Sequence, residues 1–294
     1  MIRRLCVIGV GLIGGSLARA LRAAGYCQEV VGAGRNPEHL RQAVELGVID
    51  RFETDLALAV RDADMVLVAV PLGAMQPVFA ALRDHLADDA VLTDAGSAKA
   101  SVIEAARAAF GRLPDCFVPG HPIAGTEQSG VAASFPELYR GRRVILTPTE
   151  ASSPAAIARV RAMWEAAGAQ VTEMGAKHHD EVLAATSHLP HLLAFALVES
   201  LARLHDQREV FEYAAGGFRD FTRIASSDPV MWRDICVANR VAVHDMIERF
   251  SGDLQVLDRA VCAGDGERLL KIFSDARQAR DRYVEKTDRD PGNE

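Results

Sequence analysis

Leu5-Cys6-Val7-Ile8-Gly9-Val10-Gly11-Leu12-Ile13-Gly14 is the stretch on which the fold turns. Residues 5–10 form an apolar run of strand character, and residues 13–24 have helical spacing. Between the two lies G-x-G-x-x-G. Alone this pattern is a generic tight turn. Leaving a strand and opening a helix, it predicts a dinucleotide-binding loop. Gly9 permits the turn, Gly11 lets a pyrophosphate approach the backbone, and Gly14 lets the helix pack on the strand. The helix N-terminus attracts the phosphates. The run after Met1-Ile2-Arg3-Arg4 imitates a secretory signal. Its glycines, and the want of a convincing cleavage site, favour the strand-turn-helix reading.

Outward from the loop, short apolar runs alternate with helical patterns. Strands are expected at residues 30–32, 64–70, 90–94, 116–118 and 143–146, and helices at 37–46 and 98–110. Such alternation predicts an α/β fold with a doubly wound parallel sheet covered on both faces. A further helix and strand follow near residues 154–167 and 170–174. From Ala176 every signal is helical. One long pattern spans residues 178–204 and is interrupted by Pro190. Another starts at Asp228-Pro229 and is expected to reach residue 250, and a third covers 254–284. Residues 286–294 read as a frayed polar tail. The expected division is 1–174 for the nucleotide-binding domain and 175–294 for an all-helical domain.

Composition narrows the functional classes. The chain has 294 residues, 49% hydrophobic and 25% charged, which is globular rather than disordered composition. Lysine and arginine total 33 against 40 acids, a net charge of −7 that argues against nucleic acid or an anionic membrane as partner. The five cysteines form no C-x-x-C, so a disulfide framework or cysteine zinc site is not expected and a cytoplasmic, reducing compartment suits the chain. No membrane span is expected from apolar run length.

The end of the second strand bears on the cofactor. An acid there would hold the adenine ribose of NAD. The chain reads Gly32-Ala33-Gly34-Arg35-Asn36 instead. Arg35 could hold the 2′-phosphate of NADP, stack on adenine, or simply face solvent. Either NAD or NADP is therefore expected, with Arg35 favouring tolerance of NADP. The expected cofactor-binding residues are Gly9, Gly11, Leu12, Ile13, Gly14, Arg35, Val70 and Pro71.

Three later segments carry chemistry: Thr93-Asp94-Ala95-Gly96-Ser97-Ala98-Lys99, Gly120-His121-Pro122-Ile123-Ala124-Gly125-Thr126-Glu127, and a helical group. The helical group comprises Ser187-His188-Leu189-Pro190-His191 and Asp220-Phe221-Thr222-Arg223-Ile224-Ala225. Ligands of such sheets sit beyond the carboxyl ends of the strands, which places His121 near a nicotinamide ring. G-H-P-x-A-G-T-E, S-H-L-P-H and D-x-T-R-I-A together resemble the prephenate dehydrogenase family, also called cyclohexadienyl or arogenate dehydrogenases, over nearly the whole chain. The resemblance implies a Rossmann-type domain, a helical dimerisation and substrate domain, and oxidative decarboxylation of a cyclohexadienyl acid in tyrosine biosynthesis. It implies a small-molecule substrate, prephenate or arogenate, and a homodimer.

Oxidation at C4 of prephenate needs an acceptor for the hydroxyl proton, and an imidazole can serve at neutral pH. His121 is the candidate base, although a histidine before Pro122 could be structural. Ser97 resembles the family's serine that orients this histidine; it could also cap the helix that follows. Arg223 matches the substrate-binding arginine, suited by its fork to a carboxylate. Asp220, three residues back, could position it or merely pair with it. His191 resembles a second substrate histidine. Glu127 could position substrate through a charge pair or be a solvated acid. His178 and His179 read as an exposed helix start, and Trp232 as a core or dimer-seam residue.

A β-hydroxyacid dehydrogenase or imine reductase shares this layout, but relies on a lysine in the helical half, where Lys177 alone precedes Arg223. A non-catalytic dinucleotide sensor would have no use for His121, His191 and Arg223 together.

Overall fold

The computed structural model describes residues 1–204 and 212–289. Six strands form one sheet: β1 (Ile2–Ile8), β2 (Cys27–Ala33), β3 (Arg51–Glu53), β4 (Met65–Val68), β5 (Val91–Asp94) and β6 (Phe117–Val118). Their order is β3-β2-β1-β4-β5-β6, and every pairing is parallel. The order reverses between β1 and β4, which opens a crevice at the carboxyl ends of these strands. All residues of β4 and β5 are buried, as both-face coverage demands. One face packs Leu17 and Leu21 of helix Leu12–Ala23 with Met163 and Trp164 of helix Pro154–Ala166. The other packs Phe79, Leu82, Val102 and Ala106. Each of the larger side chains contributes about 1.5–3 kcal/mol on burial.

The strand at Arg143–Leu146 departs from expectation. It is β8 of a second sheet, ordered β7-β8-β9, with β7 at Gly120–Pro122 and β9 at Gln170–Glu173. β7 runs antiparallel to β8, and β9 runs parallel to it. Only Pro119 separates β6 from β7. Proline has no N–H for a ladder, so the chain leaves one sheet there and enters the next.

The helical region is more broken than its apolar pattern suggests. Helix Ala176–Leu183 widens to a π-turn at Ala184–His188 before helix Leu189–Ala202. Pro190 cannot donate its amide and crowds the carbonyl four residues back, so the preceding turn relaxes outward. The run Ala176–Ala202 contains an 18-residue window of mean hydropathy 1.4, long and apolar enough by composition alone to cross a membrane. It carries the buried His179, Asp180 and His188, which tie it into the protein body.

The helix expected to reach residue 250 divides at Asn239 into Pro229–Ala238 and Arg240–Cys262. Asn239 is buried at φ −104°, ψ 30°, with its amide turned inward to Asp180 and His188. The final helix is Gly266–Arg289, after a turn with Gly264 at φ +62°. Residues 286–289 of the expected tail belong to this helix, and residues 290–294 lie outside the described residues.

Candidate active site

The carboxyl ends of β1, β4 and β5 open on a cleft of about 670 Å³ between the sheet and the helical region. The glycine loop forms one wall. Gly9 stands at φ +94°, and a Cβ there would lie 2.3 Å from the Ala69 carbonyl oxygen. A Cβ on Gly14 would lie 2.6 Å from Val7 Cγ1, so only glycine lets this helix approach β1. A Cβ on Gly11 meets nothing within 4 Å. Helix Leu12–Ala23 begins with no side-chain cap, which leaves its N-terminus to a ligand. These features fit the pyrophosphate of a nicotinamide dinucleotide. Leu12, Ile13, Val70 and Pro71 line the same cleft. Arg35 is exposed just past β2, where no acid stands, and neighbouring Asn36 caps helix Pro37–Glu45.

Beyond the loop lie Ser97 and His121 from the sheet side, and Ser187, His188, Asp228 and Trp232 from the helical side. His121 is in β7 and 8% exposed. Its Nδ1 lies 2.9 Å from Nε2 of His179, a residue read from sequence as exposed but fully buried here. His179 Nδ1 lies 2.8 Å from Asp180 Oδ1. Ser97, expected to orient His121, lines the same cleft, and the partner on His121 Nδ1 is His179. Ser97 does not cap the following helix. The amides of Lys99 and Ala100 donate to the Asp180 carboxylate at 2.7 and 2.9 Å. A carboxylate from the helical region thus closes the N-terminus of a helix from the sheet region.

Beneath His121 lies Lys99, wholly buried. Its Nζ donates to Asp94 Oδ2 at 2.5 Å and to the Gly120 carbonyl oxygen at 2.6 Å. Asp94 Oδ1 accepts from the Gly120 amide at 3.2 Å. Both backbone polar groups of the residue before His121 are held by this pair.

Burial pushes the His121 pKa well below the usual imidazole value, and nearby His179, Lys99 and His188 push the same way. Burial lowers His179 too, while Asp180 opposes the shift. Burial alone would raise Asp180, but the hydrogen bonds from His179, Lys99 and Ala100 outweigh it and the net shift is downward. His188 is pushed down by burial to about 4. A neutral, buried imidazole at the cleft surface is a competent proton acceptor.

The outer end of the cleft differs. Glu127 lines it and forms an ion pair with Arg223. Asp220 was expected to position Arg223. Asp220 is exposed near the end of helix Gly216–Thr222, and the carboxylate that Arg223 pairs with is Glu127. His191 reaches the cleft through Trp232, its ring stacked at 3.7 Å on the indole. Trp232 Nε1 is buried without a hydrogen-bond partner. Lys177, the helical lysine a β-hydroxyacid dehydrogenase would need, is 92% exposed and lies 3.8 Å from Glu181. Among the described residues no cluster of His, Cys, Asp and Glu could hold a metal ion.

Sequence reasoning missed His179, Asp180 and the Lys99–Asp94 pair. The signal was faint: a polar His-Asp pair that a helical pattern alone assigns to solvent.

Residues 17–173 match the family described as "Prephenate dehydrogenase, nucleotide-binding domain", and residues 175–275 match "Prephenate dehydrogenase, dimerization domain". The chain is 40% identical to the cyclohexadienyl dehydrogenase of Zymomonas mobilis, over 98% of each chain. It is 33% identical to the prephenate dehydrogenase of Bacillus subtilis, over 94% of this chain and 75% of that one. Among solved structures, it resembles prephenate dehydrogenase from A. aeolicus in complex with hydroxyphenyl propionate and NAD+. The TM-score is 0.89 and the identity 37%, over 96% of this chain and 99% of that one.

Proposed function

This chain belongs to the prephenate dehydrogenase family, and on that premise we propose that it converts prephenate to 4-hydroxyphenylpyruvate by oxidative decarboxylation. It is an NAD(P)-dependent oxidoreductase. Held by the glycine loop, the cofactor supplies the acceptor for the hydride that leaves C4. His121 accepts the proton of the 4-hydroxyl, and loss of CO2 then aromatises the ring. Ser97 lines the same cleft, which supports a contact with that hydroxyl. Arg223 and His191 serve the carboxylate end, with Glu127 holding Arg223 until substrate arrives. The observation that carries this reading is His121, buried in the same cleft as the glycine loop.

Arg35 and the missing acid support use of NADP beside NAD, and arogenate is a second substrate under this reading. Exposed Val237, Val241, Val261, Leu270 and Phe273 support a homodimer through the helical region. Five free cysteines suit a cytoplasmic setting.

Initial rates with prephenate or arogenate, each with NAD or NADP, test the proposal. Cofactor reduction with release of CO2 is expected. No reduction in any of the four mixtures would overturn it. Arg35→Ala should lower kcat/KM for NADP about tenfold or more and spare NAD.

A further inference from the structure

We propose that His179, oriented by Asp180, is a positioning residue that fixes the tautomer of His121 and shares the proton His121 takes from substrate. The second half of this inference rests on the function proposed above; the first half does not.

The Asp180 carboxylate already accepts the amide protons of Lys99 and Ala100. An ionised carboxylate has no proton to give, so His179 Nδ1, 2.8 Å away, is the donor. Neutral His179 then carries its lone pair on Nε2. His121 Nδ1, at 2.9 Å, must donate into it. That leaves the lone pair of His121 on Nε2, the nitrogen available to the cleft that His121 lines. The chain of bonds selects the Nδ1–H tautomer, the one that can act as base.

The same bonds carry the proton onward. As the substrate O–H breaks, N–H forms at His121 Nε2. The His121 Nδ1–H bond can then break as N–H forms at His179 Nε2. One proton enters and one moves on, and no electrons are exchanged. The charge comes to rest beside Asp180. Around the pair stand Asp180 and His188 from the helical region and Lys99 and Asp94 from the sheet region. Lys99 and Asp94 offset each other at 2.5 Å. Asp180 is the charge left to favour a cation, and it touches His179, not His121.

Imidazole nitrogen NMR of the 15N-histidine-labelled enzyme reads the tautomer directly, without substrate. At neutral pH His121 should show a protonated Nδ1 and a bare Nε2. The pH profile of kcat/KM for prephenate tests the shared proton. His179→Gln offers an oxygen to the His121 N–H but cannot carry a proton. It should keep the tautomer, lower kcat about tenfold and move the acid limb to lower pH. His179→Phe should lose the tautomer and lower kcat about a hundredfold, with KM for cofactor unchanged. A bare Nδ1 on His121 in the wild type overturns the positioning role. An acid limb in His179→Gln that coincides with wild type overturns the shared proton. If His179→Phe does not fold, the wild-type spectrum and the Gln variant decide. A wild type that shows the expected tautomer yet never oxidises prephenate would sink the function and leave the positioning intact.

Discussion

The two ends of the cleft are built on opposite principles. At the inner end Asp94, Lys99, His121, His179, Asp180 and His188 are all buried, and each is held by hydrogen bonds between 2.5 and 3.2 Å long. At the outer end the Glu127 and Arg223 side chains are 41% and 64% exposed, and residues 125–130 all face solvent. Water screens charge at the outer end and hardly at all at the inner one. The contrast separates two tasks. Proton transfer needs a fixed lone pair in a dry place. Capture of a dianionic substrate needs a cation that can change partners.

Four measurements can break or sharpen this contrast. The largest effect should come from His121→Asn, which keeps a polar side chain and removes the base. Turnover should fall by about 10²–10⁴ while cofactor still binds by calorimetry; wild-type turnover would remove His121 from the reaction. Next, Lys99→Met leaves Asp94 buried and unpaired. It should lower stability in urea by about 3–5 kcal/mol, with kcat falling too as Gly120 loses its anchor.

Acid is the third probe. His188 sits near 4 in the folded protein, below the ordinary 6.5 of the unfolded chain. The unfolded state therefore binds more protons between these values, so stability is complete above about 6.5 and falls as the pH drops toward 4. The loss from this residue is on the order of 3 kcal/mol. Asp180, shifted down, adds its own loss only below the usual carboxylate range. Denaturation of His188→Gln should show a shallower slope in that window.

The smallest effect on stability belongs to the outer end. Arg223→Ala should raise KM for prephenate about tenfold and leave kcat and stability within 1 kcal/mol of wild type. Glu127→Gln should change KM only about twofold. A kcat collapse in either would mean the two ends are not separate.

Sequence legibility followed the same division of labour. Most of the sheet and its glycine loop were readable because the inner stretches of its buried parallel strands are apolar runs and the loop's glycines have fixed steric tasks; β3, half-buried and reading Arg51-Phe52-Glu53, carried no such run and was missed. His121 was readable from its place after a strand. The arrangement around it was not. His179 and Asp180 look like surface residues because local pattern records polarity, while their burial depends on a helix about eighty positions earlier. Asn239 was lost for a similar reason: its helical neighbours hide a break made by long-range hydrogen bonds. Arg143–Leu146 was recognised as a strand but given to the wrong sheet, because apolar runs carry no information about partners.

Asp180 ties both halves together at the foot of the cleft. Swinging the helical body away from the sheet would strip two amides of their acceptor and His179 of its carboxylate at one stroke. Each of these bonds, exchanged for one to water, costs about 0.5–1.5 kcal/mol net. The two halves are thus tied together where the proton is handled, while the solvent-facing margin at residues 125–130 takes no part in that tie.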